Sequence, residues 1–309
     1  MAFTAADVKA LREKTGAGMM ECKKALTQAD GDMERAIDVL RERGLAAATK
    51  KAGRITAEGV VLTTYDAQEK VAVMVEVNAE TDFVSKNESF KKFVADIAKT
   101  IAEQNPASVE ELNALTIAGG TKTVEETRQE NVLVIGENMT IRRFERLEGD
   151  VAIYTHMGGS IGALVAFETD GDFAARADLQ EVGKKVAMQV AAMKPLYLSK
   201  DVVPASVQEH EIEIAKAQLA EDPKMQGKPE KVIAGAAQGR LRKYFEEVCL
   251  LQQAYAFGEK QSVGDYIKNA AKELGVNLAA VDFKLYVKGE GIEKKADDFA
   301  AEVAAAVNK

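Results

Sequence analysis

Gly158-Gly159-Ser160-Ile161-Gly162 has the G-x-S-x-G spacing of a serine-hydrolase elbow. In that elbow a strained strand-to-helix turn lifts a nucleophilic hydroxyl to the top of a sheet. A helix must follow the turn, but here an apolar, strand-like run from Ile161 to Phe167 follows. The one downstream histidine, His210, falls in a segment read below as a helical hairpin. The five residues therefore read as a glycine turn between strands. Gly16-Ala17-Gly18 has no strand before it and no Gly-Lys-Ser/Thr after it, so it lacks the make-up of a phosphate loop and reads as a helix–helix turn. Cys22, Cys249, His156 and His210 have no metal-ligand spacing. No catalytic constellation, cofactor site or metal site is expected, and the chain is expected to work by contact. Thr81-Asp82-Phe83-Val84 differs from these. It joins a buried-type strand to a helix, where small polar residues would suffice, yet Phe83 and Val84 are apolar. Taken by themselves, these residues make Phe83 a plug in the protein's own core and Asp82 a support for the helix N-terminus.

The elements that position these residues follow from caps and periodicity. Three short helices fill residues 1–45. Thr4 with Asp7 forms a capping box before the first. The second runs from Met19 to Ala29, and the third, capped by Asp32, runs from Met33 to a stop at Gly44. Residues 46–58, basic and small, read as a linker. Val60–Tyr65 and Val71–Val77 form a hairpin in which Val71, Val73, Val75 and Val77 share a face. Ser85 with Glu88 is expected to cap a helix running to about Glu103, stopped by Pro106. Ser108 with Glu111 and Thr123 with Glu126 cap two further helices. The pattern then repeats at a coarse level: Met139–Leu147 and Val151–His156 as strands, a turn at Gly158-Gly159, Ile161–Phe167 returning, and a helix over Phe173–Met193 ended by Pro195. Residues 195–238 read as an antiparallel helical hairpin turning at 221–229. Helix Ser262–Leu274, strand Val281–Val287, a break at Gly289-Glu290-Gly291 and a last helix over Lys295–Val307 complete the chain. Phe299, Val303 and Val307 stripe that last helix, facing either the body of the protein or a partner.

The fold class is thus α+β. A UBA-like three-helix domain with its linker spans 1–54, and a two-part α+β core spans 55–194 and 239–288. The hairpin (195–238) interrupts that core, and a helical module (289–309) follows it. A chain of 309 residues is long enough for such a division. With 41 Lys and Arg against 49 Asp and Glu, the net charge of −8 argues against a direct nucleic-acid binder. Two cysteines far apart suggest no disulfide framework and a reducing compartment. The N-terminus lacks the pattern of a signal peptide, and no run approaches the ~20 apolar residues of a membrane helix. A cytoplasmic protein with no membrane partner is expected. A hydrolase using Ser160, or a ubiquitin-type adaptor using the three-helix unit alone, are the competing readings. An active-site serine probe and a pull-down from bacterial lysate separate them.

Several stretches together resemble the elongation factor Ts family. Thr15-Gly-Ala-Gly-Met-Met20 with Glu21-Cys-Lys-Lys-Ala-Leu26, and Thr81-Asp-Phe-Val-Ser-Lys86, are the specific matches. Ile135-Gly-Glu-Asn138 with Ile141-Arg-Arg143, His156-Met-Gly-Gly159, and Gly289-Glu-Gly-Ile-Glu-Lys-Lys with Asp298-Phe-Ala-Ala-Glu-Val303 follow in the right order. The resemblance implies a non-catalytic exchange factor. It would bind elongation factor Tu, promote loss of GDP by disturbing Mg²⁺ at the partner's nucleotide site, and leave when GTP binds. It implies that Thr81, Asp82, Phe83 and Val84 are the disturbing segment, with Phe83 a wedge between partner helices. It also implies that Ile135, Gly136 and His156 touch a second partner domain. Met19, Met20 and Phe299 would belong to a clamp on the GTPase domain, and the hairpin would allow a homodimer. Two positions depart from the family pattern: Ser160 stands where a basic residue is usual, and Gln189 where a histidine is common. Residues 221–229 are slightly expanded.

Overall fold

The computed structural model describes residues 3–293, so the expected tail helix and Phe299 lie outside the described residues. Helices α1 (Ala5–Thr15), α2 (Met19–Gln28) and α3 (Met33–Lys51) enclose a small core of Leu11, Cys22, Leu26, Val39 and Leu40. The Thr4–Asp7 capping box forms, and Asp32 accepts the Arg35 N–H at 2.8 Å. The expected stop at Gly44 and the linker over 46–58 are both corrected. The alanine-rich run has high helix propensity, and α3 continues through Gly44 to Lys51. Gly44 is instead a close-approach residue against α6 (Val124–Ile135): a Cβ there would lie 3.3 Å from the Gln129 carbonyl oxygen.

Beyond α3 the chain builds two three-stranded antiparallel sheets. The first has the order β1-β2-β3, from Glu58–Asp66, Val71–Ala79 and Met139–Glu148. The second has the order β4-β5-β6, from Asp150–His156, Ile161–Thr169 and Leu278–Val287. Sequence order groups Met139–Leu147 with the second hairpin, but it pairs on β2, with Val75 opposite Phe144. Alternating apolar residues identify a strand without naming its neighbour. Every residue of β2 is buried. Its valines 71, 73, 75 and 77 face Phe90, Phe93, Val94 and Ile97 of α4 (Glu88–Gln104). Its Ala72 and Met74 join Val61, Val151 and Leu164 between the sheets. The second sheet is covered in turn by α7 (Ala177–Met193) and α10 (Val263–Leu274), through Val186, Val190, Ile267 and Ala271. The result is four layers, helices–sheet–sheet–helices, and the α+β class holds.

Two helix starts differ from expectation. Asn87, not Ser85, caps α4, its Oδ1 accepting the N–H groups of Ser89 and Phe90. Asn is among the strongest N-caps, and Ser85 is spent on the Asp82 carbonyl. Helix α7 begins at Ala177 rather than at Phe173, which lies in the preceding turn. Helix α5 (Val109–Ala114) is capped by Ser108 and α6 by the Thr123–Glu126 box. Helices α8 (Ala205–Glu221) and α9 (Glu230–Val248) form a hairpin with its own small cluster of Ala215, Leu219 and Ala237. Its root is fastened by the Leu196 and Tyr197 N–H groups, both donating to the Val248 carbonyl.

Candidate functional site

The turn after β2 is fixed at both ends and open in the middle. Val84 is buried among the core residues under α4 and begins a single 3-10 turn, Val84–Lys86. Thr81 is held from the other side: Glu137 accepts its N–H at 2.9 Å and its hydroxyl at 2.7 Å. Glu80 accepts the Asn138 N–H at 2.6 Å and pairs with Arg54 at 3.2 Å. Between these anchors Phe83 is 75% exposed, so it is no core plug. The Asp82 carboxylate is exposed and makes no hydrogen bond or ion pair among the described residues. A phenylalanine left in water forgoes the ~1.5–3 kcal/mol that burial supplies. That gain stays available to whatever covers the ring.

The Gly136 turn lies directly behind. Gly136 closes α6 in the left-handed region (φ 88°), its carbonyl accepts Lys51 Nζ, and Ile135 packs on the first core. Glu137 is thus the link between the Thr81 and Ile135–Gly136 stretches. His156 ends β4, exposed, with its Nδ1 2.9 Å from the Tyr154 hydroxyl. The turn that follows carries Met157, 76% exposed, at φ 46°. Gly159 of this turn sits on β1, accepting the Val61 N–H at 2.8 Å, and a Cβ there would lie 2.0 Å from Val60 Cγ2. Because Glu58 of β1 pairs with Ala79 of β2, the His156 and Thr81 turns share one end of the sheets. Ser160 occupies this β-turn and leads into a strand, as the glycine pattern predicts.

β6 also finishes at this end. Gly289 lies against Ala57, where a Cβ would be 2.3 Å from the carbonyl oxygen, and Lys288 pairs with Glu58. The Gly289 N–H donates to Glu76, a fully buried carboxylate that also meets Arg142 at 3.1 Å and Arg143 at 2.7 Å. Burial pushes the Glu76 pKa up, but the Gly289 N–H, Arg143 and Asn78 outweigh it and hold the carboxyl below the usual range. Met19 and Met20 are exposed on the first turn of α2. The sequence reading missed Met157, Glu137, Glu80 and Arg54. For Met157 the pair Gly158-Gly159 was the available signal, because residues beside a tight turn point outward. The other three form contacts across 26 to 58 positions, which no local pattern reveals.

Among the described residues there is no group of three or more His, Cys, Asp or Glu side chains that could hold a metal ion. No described helix is long and apolar enough to cross a membrane. Cys22 and Cys249 are buried, and burial raises both thiols, Cys249 to about 11. Gln189, at the histidine position of the family pattern, is buried and structural: it donates to the Ala254 carbonyl and accepts the Ala256 N–H.

The family model described as Elongation factor TS matches residues 80–290. The chain is 46% identical over 311 residues to elongation factor Ts of Trichlorobacter lovleyi, covering 99% of each chain. It is 48% identical over 305 residues to that of Clostridium kluyveri, covering 97% of each. It is 46% identical over 310 residues to that of Magnetococcus marinus, covering 99% of each.

Proposed function

The chain belongs to the elongation factor Ts family and so to the factors of translation elongation, and on that premise we propose that it is a guanine-nucleotide exchange factor for elongation factor Tu. The observation that carries this reading is Phe83, a large apolar ring held out in water between two anchored neighbours. An exchange factor must bind the nucleotide-free GTPase better than the GDP-bound form. Linkage is reciprocal, so the factor weakens GDP by the ratio in which GDP weakens the factor. Mg²⁺ is the largest local charge at a nucleotide site, so a small displacement of its ligands costs GDP much affinity. Reversing a 1:99 preference takes about 5.5 kcal/mol of differential binding. One aromatic anchor can supply ~2 kcal/mol or more of that.

In this reading Thr81, Asp82, Phe83 and Val84 form the segment that disturbs the partner's Mg²⁺ site. Ile135, Gly136 and His156 meet a second partner domain, and the unit of residues 1–54, with Met19 and Met20, clamps the GTPase domain. The α8–α9 hairpin serves self-association, and the chain itself binds no nucleotide and works in the cytoplasm. The test is release of fluorescent GDP from elongation factor Tu into excess unlabelled nucleotide. Saturable acceleration by the chain is expected; release at the uncatalysed rate at every concentration contradicts the proposal.

A further inference from the structure

The two sheets are built by the same succession of elements, and each half serves as a control for the other. In each, a hairpin leads through a turn into a covering helix, and a later helix leads through a glycine into the third strand. Gly136-Glu137-Asn138 precedes β3 and Gly275-Val276-Asn277 precedes β6, with both glycines in the left-handed region (φ 88° and 66°). In each half the carboxylate just past the hairpin accepts the asparagine N–H. Glu80 takes that of Asn138 at 2.6 Å, and Asp170 takes that of Asn277 at 2.7 Å. This shared bond fastens the third strand.

The halves differ in how the turn residue itself is held: in the second, the Gly171 N–H donates to the neighbouring Thr169 hydroxyl at 3.1 Å, and Thr169 in turn donates to the Asn277 carbonyl at 2.6 Å. In the first, Glu137 grips Thr81 with both carboxylate oxygens. The corresponding residues of the second half are Val276 and Gly171, in apolar contact: a Cβ on Gly171 would lie 3.2 Å from Val276 Cγ1. The second half therefore closes, among the described residues, with no carboxylate on its turn residue Gly171; its own two-oxygen grip is that of Asp170 on Asn277, through the backbone N–H and the side-chain amide at 2.7 Å each. The half whose turn residue is clamped by a carboxylate is the one whose phenylalanine points into solvent. We propose that Glu137 is a positioning residue for the exchange step, holding Thr81 so that Asp82 and Phe83 meet the partner in one orientation; this rests on the exchange-factor reading above. Fixing the backbone of a residue costs conformational entropy. A clamp that pays this in the free protein spares the opening step from paying it, while contacts elsewhere set affinity.

The test measures maximal GDP release at saturating factor separately from the concentration giving half that rate, for Glu137→Ala, Glu137→Gln, Thr81→Val and the Ala/Val double variant. Glu137→Ala is expected to lower the maximal rate about fivefold and move the half-saturating concentration less than about twofold. Glu137→Gln, which keeps one acceptor, is expected to fall between it and the parent. Thr81→Val, which loses the hydroxyl bond alone, tests the clamp from its other side should Glu137→Ala fold poorly. The double variant is expected to be no slower than Glu137→Ala, because the two residues act as one unit. A parental maximal rate in Glu137→Ala, a loss confined to the half-saturating concentration, or additive losses in the double variant would overturn the proposal. Failure of the parent chain to accelerate release would contradict the exchange reading itself, a result distinct from any of these.

Discussion

The turns after β2 and β5 carry the same Asp-Phe pair and use it in opposite ways. Phe173 is 1% exposed and stacks on Phe167 with ring centroids 5.6 Å apart. It fits because α7 offers Gly183 beneath it, where a Cβ would lie 2.8 Å from the Phe173 ring. Phe83 is 75% exposed, and among the described residues Lys86 reaches over its ring, 5.9 Å from the centroid. In the first half α4 brings Phe90, Phe93 and Val94 to the sheet, and the next turn residue, Val84, enters the core in place of the aromatic. The second half has the small Ala174 at that point. One sequence pattern thus makes either a buried plug or a ring held out in water. The volume already supplied by the covering helix decides which, because cores have no room to spare.

The comparison breaks most readily on stability. Phe173→Ala is expected to cost ~3–5 kcal/mol, the range for a buried aromatic, in urea or thermal unfolding. Phe83→Ala is expected to stay within ~0.5 kcal/mol of the parent. Equal costs would mean that the two rings are packed alike. Glu76 sharpens the contrast next. It sits just before the β2 register shift, where β5 has Ala166 before its own. Glu76→Ala would leave Arg142, Arg143 and the Gly289 N–H without their buried acceptor, at a cost of about 3 kcal/mol. The folded pKa of Glu76 is lowered. Its contribution is therefore complete above the ordinary glutamate range and is lost as pH falls through the folded value. The parent should lose this increment in acid, and Glu76→Ala should show a flatter profile; parallel profiles would remove Glu76 from the acid response. The smallest difference concerns the aspartates. Asp172 accepts the Ala175 N–H at 3.2 Å, so Asp172→Ala should cost ~0.5–1 kcal/mol. Asp82→Ala should cost less than that and appear instead as slower exchange.

Local chemistry made much of the fold legible. Thr4 with Asp7, Ser108, Thr123 with Glu126, Pro106 and Pro195 each mark a helix end where one is found. The valine run of β2 was readable because its alternate residues lie on one core. Where tertiary contacts decide, sequence reading fell short. Gly44 looked like a stop and is a contact with α6. Ser85 looked like a cap, but Asn87 takes the role. β3 had the right period and an unforeseen neighbour. At the site, the Thr81–Val84 stretch stood out as chemically odd, but residue types alone favoured the wrong orientation for Phe83. The Glu137 clamp spans 56 positions and left no local trace.

The most direct test is the rate of fluorescent GDP release from elongation factor Tu with saturating parent chain or saturating Phe83→Ala, each corrected for its folded fraction. With Phe83 acting as the wedge, release should slow at least about tenfold, equivalent to ~1.4 kcal/mol, while the thermal midpoint stays put. Unchanged release per folded molecule would contradict the wedge and return Phe83 to an incidental place on the surface.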